Sequence, residues 1–273
     1  MHRPSVLFRF VLAGLLAALP LAGLAENASS APSPDEIVRK AIERAETPAA
    51  RQLRPDYLFS RHTVTEELDD KGKVKTRREK LFEVSVNAGL FHKKLLQVNG
   101  QNLSAAELIK QEERDAADRQ KLPDSKPGRK QDEGDTYLTK EMTGKYNFSL
   151  VDTTPVNGRM AYLLAFEPKS GLPVRKITDR IANQAAGRVW IDTEDFEIAR
   201  AEIHLKSEIE LWGGMIGTLR HCRYTLERTR LPDGVWFDSL AHGIAEGRKL
   251  IEPFLIRMRT ESSNFHRAGL VVQ

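Results

Sequence analysis

Along most of its length the chain alternates apolar and polar side chains, the two-residue period of half-buried strands. The clearest stretch runs from Gly187 through Val189-Trp190-Ile191-Asp192 and an acidic turn to Lys206. Beyond the turn Ala199, Ala201, Ile203 and Leu205 alternate with Arg200, Glu202, His204 and Lys206. This pattern predicts a hairpin whose second strand buries one face and wets the other. Tyr57 to Leu68, Val74 to Val86 and Leu90 to Val98 read as three further strands, linked by the turn Asp69-Asp70-Lys71-Gly72-Lys73 and closed by Asn99-Gly100. Tyr146, Phe148 and Leu150 share a face, as do Met160, Tyr162, Leu164 and Phe166 after a turn at Pro155-Val156-Asn157-Gly158. Leu219 to Thr229, Val235 to Ala245, and a last strand with Phe254, Ile256 and Met258 complete the set. Strands and helices do not alternate as βαβ units, so the sheet is predicted to be antiparallel.

Helical spacing is confined to three places. Ser33 caps a helix that has Pro34 at its first position, Glu36 as the capping-box acid, and one stripe of Ile37, Val38, Ala41, Ile42 and Ala45 before Pro48 stops it. Ile177, Ile181 and Ala185 predict a short amphipathic helix placed to cover the sheet. Ser104 and Glu107 form a second capping box, but the apolar stripe fades after Ile109, and Lys121 to Asp135 is rich in charge, proline and glycine. Residues 104–135 therefore read as an insertion, helical first and too polar to fold alone later, that serves as a solvated loop or as a docking arm.

The N-terminus changes the picture more than composition does. Arg3 and Arg9 precede an apolar run from Phe10 to Leu19, then Gly23-Leu24-Ala25, the order of a secretory signal peptide cleaved after Ala25. Pro20 interrupts the run before it reaches the ~20 residues of a membrane span. No cysteine follows to accept a lipid. The expectation is a periplasmic protein, not membrane-spanning once processed, with residues 26–32 as a tether and 33–273 as one domain. Residues 1–25 hold two arginines and no acid, so the formal charge falls from +4 to +2 on cleavage. That balance, together with export, argues against nucleic acid as a partner. Cys222 is the single cysteine, so no intramolecular disulfide can form.

Candidate chemistry is sparse. His62, His92, His204, His221 and His242 form no pair at metal-ligand spacing, and His221 and Cys222 point to opposite faces of one strand. Asp192, Glu194 and Asp195 lack the pattern of a calcium loop and read as a polar turn. Cys222 lies mid-strand, away from any helix N-terminus that would lower its pKa. Gly213-Gly214-Met215-Ile216-Gly217 lacks phosphate-loop spacing; it reads as a bulge, or with Trp212 as a mobile lip of a ligand cavity. The expectation is a non-enzymatic chain that needs no cofactor and no metal.

Val189-Trp190-Ile191-Asp192 with Phe196, Ile198, Arg200 and Glu202, following an N-terminal amphipathic helix, a meander and a short helix, resembles the periplasmic outer-membrane lipoprotein-carrier (lipoprotein-sorting) family. The charged insertion and the basic strand from Lys75 to Lys80 depart from that pattern. The resemblance implies an α+β fold: a strongly curved antiparallel sheet, an incomplete barrel, with covering helices. It also implies an apolar cavity on the concave face for lipid or lipoprotein acyl chains. Phe148, Tyr162, Leu164, Phe166, Trp190 and Trp212 are the candidate lining residues. Trp190 is expected to be largely buried, with both faces of its strand covered. The alternative role is an envelope sensor or protein-interaction domain with an envelope protein as partner.

Overall fold

The computed structural model describes residues 32–46, 57–87, 90–110, 138–211 and 217–268. The expected signal peptide, most of the tether, the insertion beyond residue 110, and Trp212 lie outside the described residues. Helix α1 (Pro34–Glu46) precedes β1 (Tyr57–Leu68), β2 (Val74–Asn87), β3 (Leu90–Val98) and the short β4 (Gln101–Asn102). After α2 (Lys140–Thr143) come β5 (Tyr146–Val156) and β6 (Arg159–Pro168), then α3 (Ile177–Ala182), β7 (Ala185–Asp192) and β8 (Ile198–Leu205). The short β9 (Ile209–Leu211), β10 (Gly217–Arg230), β11 (Trp236–Lys249) and β12 (Glu252–Arg267) complete the chain.

Local chemistry accounts for the joints. The Ser33 hydroxyl accepts from the Glu36 N–H at 3.2 Å and starts α1. Asn99-Gly100 and Asn157-Gly158 both take positive φ at the two centre positions, which closes β3 on β4 and β5 on β6 as tight hairpins. Residues 105–110 are helical and begin as predicted, with the Ser104 N–H donating to the Glu107 carboxylate at 2.9 Å.

The strands form one antiparallel sheet in the order β4-β3-β2-β1-β12-β11-β10-β8-β7-β6-β5, with β9 beside β10. It does not close, and β4 and β5 are its edges. The first meander thus docks through β1 onto the last strand. Residues directly opposite across an antiparallel pair share a face, so the register traces rows across the sheet. One row reads Leu150, Leu164, Val189, Ala201, Leu226, Ala241, Thr260, Thr63, Lys80. A parallel row reads Phe148, Phe166, Gly187, Ile203, Tyr224, Gly243, Met258, Thr65, Arg78. Both rows are apolar from β5 to β11; the first turns polar at β12 and the second, after Met258, at β1, and both end in a cation on β2.

Helix α1 lies on the apolar stretch. Its Ile37, Val38 and Ala41 join Leu138, Leu164, Val189, Ile191, Ile198, Ala201 and Leu226 in the main core, with Phe148, Tyr162 and Phe166 packed around it. Gly187 is needed beneath the Phe166 ring: a Cβ there would lie 1.9 Å from the Glu202 carbonyl oxygen. A second core lies toward the other end of the same face, where Tyr57, Phe59 and Phe237 pack with Phe265 at ring separations between 4.9 and 5.5 Å.

Two expectations about this face are corrected. Helix α3 ends at Ala182, and Ala185 instead begins β7 and is buried there. Ile181 is exposed, so α3 is no lid. What fixes it is Asp179, whose carboxylate accepts from the Arg175 and Lys176 N–H groups and from Lys145. Two isoleucines on a six-residue helix make too narrow a stripe to seat on a sheet. Trp190, in turn, is half-buried rather than buried. Its row reads Leu163, Trp190, Arg200, Glu227 on the opposite face, where the Arg200 guanidinium lies 5.2 Å from the indole centroid. The core on this strand belongs to Val189 and Ile191.

The two faces of the sheet should therefore respond differently to truncation. Leu164→Ala is expected to lose about 2–5 kcal/mol of urea-unfolding stability, as a fully buried leucine does. Trp190→Ala is expected to lose about 1 kcal/mol, on the scale of one partly exposed cation–π contact. Equal losses would mean that Trp190 belongs to a core after all.

Candidate functional site

Where the inner rows turn polar the sheet encloses a cavity of about 880 Å³. Its lining comes from β10, β11, β12, β1, β2 and β3, and includes Tyr224, Ala241, Met258, Arg61, Lys80 and Lys93. Strands five steps apart in the sheet order line one space, so the sheet curls around it. The cavity sits between the two cores, with Tyr224 and Ala241 at the rim of the first and Phe82 at the rim of the second. Its volume falls in the usual range of small-ligand sites.

The character of this space is mixed. Apolar lining is limited to Phe82, Tyr224, Ala241 and Met258, while Arg61, Arg77, Arg78, Lys80 and Lys93 bring positive charge against the carboxylates of Glu67 and Asp238. Arg61 is 7 % exposed, and its Nε donates to the Ser262 hydroxyl at 3.2 Å while the guanidinium lies 5.4 Å from the Phe59 ring centroid. Burial pushes the Tyr224 phenol up; the Asp238 charge adds to that, and the Arg61 charge opposes it. Thr63, Thr65, Thr76 and Thr260 add hydroxyl groups to the wall.

The predicted lining residues fall elsewhere. Phe148, Tyr162, Leu164 and Phe166 are brought together, but α1 packs over them. Trp190 faces the opposite side, and Trp212 lies outside the described residues. Sequence reasoning missed Arg61, Arg78, Lys80 and Lys93 as a group. The basic run at Lys75 to Lys80 was the available signal, but only the pairing of Thr63 with Lys80 and of Thr65 with Arg78 shows which of its charges face inward.

One end of the sheet is fastened by a chain of buried polar groups. Asp192 is 1 % exposed and accepts from Arg159 Nε and Nη2 at 2.6 and 2.8 Å and from the N–H groups of Glu194 and Asp195 at 3.0 and 2.8 Å. The acidic turn is thus built around a buried carboxylate. Asp195 accepts from Arg230 and from the Trp236 indole N–H. Arg228, also 1 % exposed, donates to Glu197 at 3.0 Å, to Asp238 at 3.1 Å and to the carbonyl oxygens of Ile198 and Trp236. Each of these carboxylates answers a cation or a backbone N–H, which is the arrangement of a structural fastening. Among the described residues no three His, Cys, Asp or Glu side chains gather as a metal site would require. Burial pushes the Cys222 thiol up, away from the thiolate a nucleophile needs.

No family model matches the chain, and no curated protein matches it. Among solved structures, one of a DUF1329 family protein from Desulfovibrio piger is similar at 11 % identity and a TM-score of 0.34, covering 89 % of this chain and 96 % of that one. A domain of an outer-membrane lipoprotein-sorting protein from Vibrio parahaemolyticus is similar at 12 % identity and a TM-score of 0.34, covering 86 % and 95 %. A LolA superfamily protein from Nitrosomonas europaea is similar at 13 % identity and a TM-score of 0.29, covering 88 % and 96 %.

The Asp192 fastening makes a pH-dependent prediction. Burial alone would raise this carboxyl, but the hydrogen bonds from Arg159 and from the Asp195 and Glu194 N–H groups outweigh it and hold the group below the ordinary aspartate value. A depressed folded value means that the stabilisation is complete above the unfolded value of ~3.9 and is lost as pH falls through the folded one. Asp192→Asn should therefore be less stable than the wild type by about 3 kcal/mol at neutral pH, with the gap narrowing below pH ~4. Denaturant unfolding at pH 7 and pH 3 measures this, and a gap that widens in acid would contradict it.

Proposed function

We propose that the chain is a non-enzymatic, carrier-like binding module of the cell envelope that holds the acyl part of a lipid or lipoprotein on its inner face, with α1 as the cover. The observation that supports this most is the inner face itself. It is apolar and continuous from β5 to β11, a separate helix covers only part of it, and an 880 Å³ cavity opens where that cover stops. The order of positive, apolar and small residues in 1–25 supports export to the periplasm. Among the described residues no helix is long and apolar enough to cross a membrane.

The cover is attached by contacts that can be exchanged. Ile37, Val38 and Ala41 are buried against the sheet, the Lys40 ammonium lies 5.0 Å from the Phe196 ring centroid, and Arg44 meets Glu197 at 3.4 Å. An acyl chain entering from the cavity would replace apolar helix contacts with apolar ligand contacts, each buried methylene contributing ~0.8 kcal/mol. Phe148, Tyr162, Leu164 and Phe166 would then become ligand contacts. Trp190, which faces away, has no part in this reading.

A second reading, an envelope sensor or protein-interaction domain, draws on the sheet edge. Among the described residues the long strand β5 pairs only with β6, and its other side offers backbone groups that a partner strand could take.

Native mass spectrometry of protein purified from envelope extract without detergent should show a lipid adduct, and N-phenylnaphthylamine should fluoresce on binding and be displaced by a long-chain fatty acid. No adduct together with no dye binding would end the carrier reading. Retention of an envelope protein in place of lipid would favour the second.

A further inference from the structure

We infer that the open half of the inner face is an anion site that receives the acidic head of an amphiphile, a phosphate diester or carboxylate, while its tail runs toward α1. This rests on the carrier reading above and specifies which lipids it would hold. Five cationic side chains and two carboxylates line the cavity. Asp238 is also directed at Arg228, which donates to it at 3.1 Å. Of the cations, Arg77 is turned to Glu66 at 3.2 Å. Arg78 and Lys80 stand inward by register, opposite Thr65 and Thr63. Arg61 is more than nine-tenths buried and is oriented by Ser262 and Phe59. Arg78 and Lys80 are therefore the cations through which the inner face would meet a phosphate or carboxylate.

The placement matches an amphiphile in order and in length. Along one row Lys80 and Thr63 are followed by Thr260 and then Ala241, beside the apolar core under α1. Lys80 and Ala241 are three strand spacings apart, roughly 14 Å. A charged head at Lys80 therefore leaves its first methylenes over Ala241, Tyr224 and Met258. Clustered charge of one sign on a concave wall also focuses the field and raises the local concentration of anions. A zwitterionic head carries the same phosphate diester but no net charge, so it gains nothing from this field.

The experiment compares dihexanoyl phosphatidylglycerol with dihexanoyl phosphatidylcholine by titration calorimetry on the full mature chain, with inorganic phosphate as competitor. Wild type should bind the glycerol lipid about tenfold or more tightly than the choline lipid, the scale of one charge-assisted hydrogen bond. Arg78→Glu combined with Lys80→Glu, at positions exposed and half-exposed, should remove that preference while thermal unfolding confirms a folded protein. Lys94→Glu, exposed on the other face of β3, should keep it. Equal affinity for the two lipids in the wild type, or a preference that survives the double variant, overturns the anion site and leaves the carrier reading standing. Inorganic phosphate competing at the same concentration as the glycerol lipid overturns the amphiphile assignment in favour of a free-anion site. Binding of neither lipid, with no N-phenylnaphthylamine binding, overturns both readings.

Discussion

The structure depends on burying one guanidinium. Arg228 sits at 1 % exposure inside the sheet, and leaving such a charge unanswered would cost several kcal/mol. Glu197 and Asp238 answer it, together with the carbonyl oxygens of Ile198 and Trp236. Those partners come from the start of β8 and from β11, so one side chain sets how three strands meet. Glu197 also reaches Arg44 of α1, which ties the helix to the same charge. The turn before Glu197 consequently has little freedom. Phe196 is held at a φ of 54°, and Asp192 caps the preceding N–H groups from below. The acidic turn is thus a structural fastening that follows from Arg228.

Much of this fold could be read from the sequence because its strands are long and their alternation is strict. Tyr57 to Leu68 forms the strand its residues indicated, Ala199 and Ala201 bury the face their alternation indicated, and Asn157-Gly158 and Asn99-Gly100 turned where turn chemistry requires. What could not be read was anything that depends on which strand lies beside which. Thr63 looks like an ordinary exposed threonine until Lys80 and Thr260 flank it. Trp190 shows the same limit in reverse. Three consecutive apolar residues suggest a strand covered on both sides, whereas one of them is sheltered by an arginine from the next strand. Ile177 and Ile181 carried the right spacing for a lid, but a helix of six residues cannot bury a face, and Asp179 fixes it instead.

The inner face is best understood as a gradient. From β5 to β11 its residues are those of a core, and the helix over them is packed as a core helix would be. From β12 to β2 threonine, arginine and lysine occupy the equivalent positions, apart from Met258 on β12. A face of uniform apolarity would be sealed by burial alone. A face that changes character along one row instead keeps an open boundary between dry and wet, and an amphiphile has the same boundary within its own structure.

The order of strands also has a temporal side. Strand β1 pairs with β12, and the Thr63–Thr260 contact between them spans 197 residues of sequence. A chain emerging from its N-terminus would therefore carry the β1–β4 meander with one side of β1 unpaired until the last strand arrived. Contacts of such long range form late and slow the folding rate. During that interval β1 is an open template for pairing with another chain. Its inward arginine, the acids at Glu66 and Glu67, and the basic neighbours on β2 are the kind of charges that keep a waiting strand from aggregating. The polar half of the inner face would thus protect the nascent protein before it has a cavity to line.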